Sequence, residues 1–167
     1  MKKILSLALA LAMIGTALTG CGSKDAATKT PAENTQQTAP VQQEQSQTEK
    51  ALALINTFAT GDTDTARSLL ADGYIQHNLA YGTGADAFIG SVEYLTSADV
   101  KTTVNNIRAF EDGDEVFLQT IYNFAGAGEQ IAFDIFRFDE NGKIAEHWDV
   151  METIADQSTW QNQNGKF

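Results

Sequence analysis

The hydrophobic pattern changes character several times along the chain. Residues 4 to 18 (ILSLALALAMIGTAL) are almost wholly apolar and follow Lys2 and Lys3. From 22 to 48 apolar side chains thin out, and Val41 is the one large aliphatic residue. A helical period then begins. Leu52, Ile55 and Phe58 share one face of 49–59, and Gly61 ends the run. Asp62 or Thr63 can cap a second helix with Leu69 and Leu70 on its buried side. Tyr74 to Asn78 reads as a short extended piece, and Leu79 to Gly84 as a loop with two glycines. Phe88, Ile89, Val92 and Leu95 form the stripe of a third helix over 85–95.

Beyond residue 100 the period drops to two. Strand-like runs cover about 101–110, 115–124, 129–138 and 143–152. They are joined by Asp112-Gly113-Asp114, Ala125-Gly126-Ala127-Gly128 and Asp139-Glu140-Asn141-Gly142. Connections this short force antiparallel neighbours. Three helices followed by an antiparallel meander predict an α+β domain. Its helices cover one face of a curved sheet, and a cavity between the layers is the natural product.

The N-terminal run has the length of a signal-peptide core and falls short of the roughly 20 residues a spanning helix needs. It ends in Leu18-Thr19-Gly20-Cys21, which resembles the lipobox of bacterial lipoproteins. Cys21 is the only cysteine, so no disulfide can form, and acylation would remove an otherwise exposed thiol. The expected organisation is a signal peptide over 1–20, a lipidated Cys21 opening a linker to 48, and one domain over 49–167. Such a protein sits at the extracytoplasmic face of the cell membrane, held by the lipid on Cys21. An ordinary secretory signal with an incidental cysteine is the alternative. The linker holds both prolines and six glutamines, too few core-forming side chains to offset ordering entropy. As a flexible coil it would span about 30 Å.

The formal net charge is −11, and residues 49–167 hold 7 Lys/Arg against 19 Asp/Glu. That balance argues against nucleic acid as a partner and against electrostatic docking to anionic lipid. Its simplest effect is solubility.

Two stretches carry a family resemblance. One is Tyr74-Ile75-Gln76-His77-Asn78. The other is Phe133-Asp134-Ile135-Phe136-Arg137-Phe138 followed by Gly142-Lys143-Ile144-Ala145-Glu146-His147-Trp148-Asp149-Val150. Together they resemble the SnoaL-like polyketide cyclases of the nuclear transport factor 2-like superfamily, over about 49 to 155. The resemblance implies a cone-shaped fold with a pocket between the concave sheet face and the helices. It also implies a small apolar ligand, aldol- or isomerase-type acid/base chemistry with no metal or cofactor, and homodimers formed through the outer sheet face. Fold alone does not fix function, and a non-catalytic binding lipoprotein is the competing class.

Asp134 is the sharpest candidate. It stands mid-strand among apolar neighbours, and it matches the cyclases' acid/base carboxylate. A desolvated carboxyl group can move protons near neutral pH. A hydrogen-bonded structural Asp is the plain alternative. His77 is a second catalytic candidate, in the segment that the resemblance leads to the pocket mouth. Tyr74, Gln119, His147, Trp148 and Asp149 are candidate ligand-binding residues. Gln119 stands where the cyclases often have a histidine on the strand before the acid, and it cannot carry a proton. Arg137 faces away from Asp134 and is expected to pair with Glu146. Phe117, Ile121, Phe124, Phe133, Phe136 and Trp148 are expected as core or pocket wall. His147 and Asp149 share one strand face. A two- or four-residue turn at Asn141-Gly142 puts Asp134 on that face as well. A three-residue turn with a bulge sets Asp134 beside Trp148 instead. Metal is the weaker alternative, because no His-x-x-His spacing occurs.

Overall fold

The computed structural model describes residues 44–167. The expected signal peptide, Cys21 and nearly all of the expected linker lie outside the described residues. Helix α1 spans Gln47–Thr60, α2 Thr63–Leu69 and α3 Ala85–Ser97. The strands are β1 Leu70–Gln76, β2 Thr103–Asp112, β3 Glu115–Asn123, β4 Gln130–Phe138 and β5 Ile144–Thr153. They form one open sheet in the order β1-β5-β4-β3-β2. The α+β fold expected from the hydrophobic pattern is present. Among the described residues no helix is long and apolar enough to cross a membrane.

Local chemistry explains the boundaries. Ser46 and Glu49 form a reciprocal capping box that starts α1 at Gln47, and Gly61 closes it at φ 76°. Asp62 caps α2 through the Thr65 backbone N–H. One face of the sheet and the helices enclose the core, where Leu54, Ile55, Val92, Val116, Leu118, Phe136, Phe138 and Ile144 are all but fully buried. Each such side chain contributes about 1.5–3 kcal/mol of transfer free energy.

Two features were not legible in the pattern. The extended piece around Tyr74 is a full strand, and it pairs in parallel with β5, setting Gln76 beside His147. The second feature is the last hairpin. Its turn closes over three residues, with Asp139 N–H donating to Lys143 O and Gly142 N–H to Asp139 O. That turn alone would set Asp134 opposite Trp148. The pairing then shifts between Phe138↔Ile144 and Arg137↔Glu146, leaving Ala145 as an extra, bulged residue. After the bulge Asp134 stands opposite Asp149 and Phe136 opposite His147. Ile144 and His147 therefore both face the core, although they are three residues apart.

Several expected wall residues lie on the outer sheet face. Phe117 and Phe133 are 42% and 50% exposed there. The reason is alternation: Val116, Leu118, Thr120 and Tyr122 take the inner face of β3, so Phe117, Gln119 and Ile121 take the other. Phe124 and Phe136 do line the cavity.

Candidate functional site

A cavity of about 770 Å³ lies between the inner sheet face and helices α1 and α3. Its walls are mainly apolar and aromatic, and Tyr81 and Tyr94 stand at its exposed rim. One region is polar. Asp134, His147 and Asp149 line it, with side chains 4%, 9% and 5% exposed.

The hydrogen bonds in this cluster form a connected network. Tyr122 donates its hydroxyl to Asp134 Oδ2 at 3.0 Å, and His147 Nε2 lies 3.3 Å from Asp134 Oδ1. His147 Nε2 also lies 4.0 Å from Asp149 Oδ2, while Asn78 Nδ2 donates to Asp149 Oδ1 at 2.7 Å. Phe136 stacks on the His147 ring at 4.4 Å. On the far side of that ring, Gln76 Nε2 lies 2.9 Å from His147 Nδ1.

The orientation of Gln76 is fixed by a third group. The Asn78 backbone N–H donates to Gln76 Oε1 at 2.9 Å, and a backbone N–H can only donate. The amide NH₂ of Gln76 therefore faces Nδ1, which must accept. The ring proton is thus assigned to Nε2, pointing at the two carboxylates.

Burial raises the Asp149 carboxyl above its usual range, and the charge of Asp134 adds to this; His147 and Asn78 oppose it. Burial also raises the Tyr74 and Tyr122 hydroxyls, reinforced by the charges of Asp149 and Asp134. The two tyrosines are thus held as neutral O–H groups.

Asp134, His147 and Asp149 bring ligand atoms within 4.8 Å of one another, close enough for a cation. The surroundings do not suit a metal. A ligating histidine donates its other ring N–H to an acceptor, and here that nitrogen faces the Gln76 NH₂. The donor set fits proton transfer better than coordination.

Of the expected site residues, Asp134, His147, Asp149 and Tyr74 line the cavity. His77, Trp148 and Gln119 do not, and these three placements are corrected. His77 follows Gln76 on β1, so alternation turns it outward. It stacks on Trp148 at 4.3 Å and pairs with Glu146 at 2.8 Å. Glu146 also takes the expected ion pair from Arg137, and the His77 and Arg137 hydrogen bonds hold its carboxyl below the usual range. Gln119 is buried on the outer face, where it donates to Lys166 O at 2.8 Å. Gln76, Asn78 and Tyr122 were missed. Counting in twos from Tyr74 would have found Gln76 and Asn78 and excluded His77. Tyr122 follows Val116, Leu118 and Thr120 in the same way.

The architecture is an α+β fold whose curved sheet and helices enclose an apolar cavity with one polar cluster. The model of the SnoaL-like domain family matches residues 51–147, and the chain belongs to that family. No curated protein matches the sequence. Solved structures agree on the fold. An NTF2-like protein of unknown function from Cytophaga hutchinsonii superposes with a TM-score of 0.57 at 16% identity, covering 67% of this chain and 95% of its own. IdmH, a candidate polyketide cyclase of Streptomyces antibioticus, gives 0.52 at 18% identity, covering 65% and 93%. An LEH-like epoxide hydrolase of M. tuberculosis gives 0.54 at 18% identity, covering 62% and 80%.

Proposed function

We propose that this chain is an exported lipoprotein, anchored through Cys21, whose SnoaL-like domain binds a small apolar molecule. The observation that carries the reading is the Asp134–His147–Asp149 cluster set in an otherwise apolar cavity. The apolar body of the ligand fills the cavity, and its polar group rests against the cluster. Proton transfer at that group is the chemistry on offer. Asp134 accepts a proton, His147 offers its Nε2–H to a developing negative charge, and Tyr122 steadies the Asp134 carboxylate. A polyketide cyclase and an epoxide hydrolase are among the structures that share the fold enclosing this cavity, and the reading is in keeping with them. The outer face carries a row of apolar side chains in register, Phe110, Phe117, Ile135 and Trp148. That row supports a homodimer through the sheet.

Mass spectrometry of small molecules retained by the purified protein tests the binding reading. Wild type should carry a molecule that Asp134→Asn retains less well while folding normally. A destabilised Asp134→Asn that retains the same molecule at wild-type level would make Asp134 structural and sink the acid/base reading.

A further inference from the structure

The charges in the cavity do not balance. Asp134 and Asp149 face each other directly across β4 and β5, and their side chains are 4% and 5% exposed. Like charges opposite one another on a sheet repel, and a buried carboxylate without a partner is costly. His147 is the one basic side chain lining the cavity, and it meets both acids through the same Nε2. No Lys or Arg lines the cavity among the described residues. Arg137, close by in sequence, lies on the outer face and is taken by Glu146. Asp149 Oδ1 accepts from Asn78, while Oδ2 has no hydrogen-bond donor among the described residues. An almost fully buried side chain thus keeps one carboxylate oxygen on the cavity side whose nearest partner is His147 Nε2 at 4.0 Å, which is shared with Asp134.

The walls add a second property. Tyr74, Tyr122, Phe58, Phe88, Phe124 and Phe136 all line the cavity. Aromatic faces attract a cation within about 6 Å of the ring centre, most strongly where water is excluded. An anion would meet two carboxylates and no base free to receive it. A neutral molecule would leave the repulsion between the acids in place.

We propose that the cavity takes an apolar organic cation, an amine or quaternary ammonium, with its charged head against Asp134 and Asp149 and its body along the aromatic walls. This rests on reading the cavity as the ligand site, and it names the class of ligand. The head group gives both carboxylates a partner of opposite charge. The acidic surface, with a formal net charge of −11, concentrates such cations around the protein.

The test uses the purified full chain and three probes of similar size: benzyltrimethylammonium, its uncharged carbon isostere neopentylbenzene, and the anion phenylacetate. Binding is followed by protein-detected NMR titration. Benzyltrimethylammonium should bind at least about tenfold more tightly than neopentylbenzene, and phenylacetate should bind least. Asp149→Asn should lose about tenfold in affinity for the cation and keep its affinity for neopentylbenzene. Asp134→Asn serves as a second carboxylate deletion with the same expectation. Equal or tighter binding of the neutral or anionic probe overturns the cation assignment and leaves the cavity reading intact. Binding of none of the three overturns both. Cation binding that survives loss of both carboxylates removes the acids from the proposal and so overturns it.

Discussion

The tautomer of His147 is set by a single side chain, and Gln76→Glu tests this directly. The substitution keeps an oxygen for the Asn78 N–H and replaces the amide NH₂ at His147 Nδ1 with a second oxygen. At the observed separation of 2.9 Å, that oxygen can only accept. A proton on Nδ1 then gains a charge-assisted hydrogen bond, worth about 1.5–3 kcal/mol. At 1.36 kcal/mol per tenfold, proton occupancy at Nδ1 rises about ten- to a hundredfold. Nε2–H keeps its bond to Asp134, so the substitution favours a second proton on the ring, at Nδ1. Long-range ¹H–¹⁵N correlation of the histidine side chains reads this out. Wild-type His147 should show one protonated nitrogen, Nε2, and Gln76→Glu should show two. A wild-type ring protonated at Nδ1, or a Gln76→Glu ring unchanged from wild type, would refute the orientation argued for Gln76.

Three further outcomes are expected. Because burial raises the Asp149 carboxyl above 3.8, its contribution to stability is present below that value and is lost as pH rises through the folded-state value. Asp149→Asn should therefore gain on wild type between pH 3.8 and 7 in chemical denaturation; a constant difference would contradict the assignment. If the outer face pairs two copies, Phe117→Glu should convert a dimer to a monomer in light scattering with a stability change of about 0.5 kcal/mol or less. A mass unchanged from wild type would remove Phe117 from the interface. Cys21→Ser should abolish fatty-acid incorporation and release the protein from the membrane fraction, and a variant that stays labelled and bound would end the lipoprotein reading.

The hydrophobic periods alone were enough for the three helices and the four meander strands. Those elements are local, and each states its buried face in its own residues. The β1–β5 pairing was not legible, because a parallel partner more than sixty residues away leaves no turn between the strands. The site divided along the same line. Asp134, His147 and Asp149 could be named as candidates, but their convergence depended on a register that the turn sequence leaves open. His77 attracted notice as one of two histidines, when alternation from Tyr74 favoured Gln76. Phe117 and Phe133 are large and apolar, which on composition alone points inward. Their strand positions say otherwise, and position decides facing.

The bulge at Ala145 divides the last strand into two segments that answer to different constraints. Up to Ile144 the chain obeys the turn; from Glu146 onward it obeys the cavity. The extra residue absorbs an odd count between them, so insertions and deletions in the turn can be reconciled locally without rotating His147 and Asp149 away from their partner. Removing Ala145 itself would leave the same cross-strand pairs in a regular ladder. Loop and chemistry are therefore separable: the hairpin tip can change its count by a residue while the pairs that line the cavity behind it stay the same.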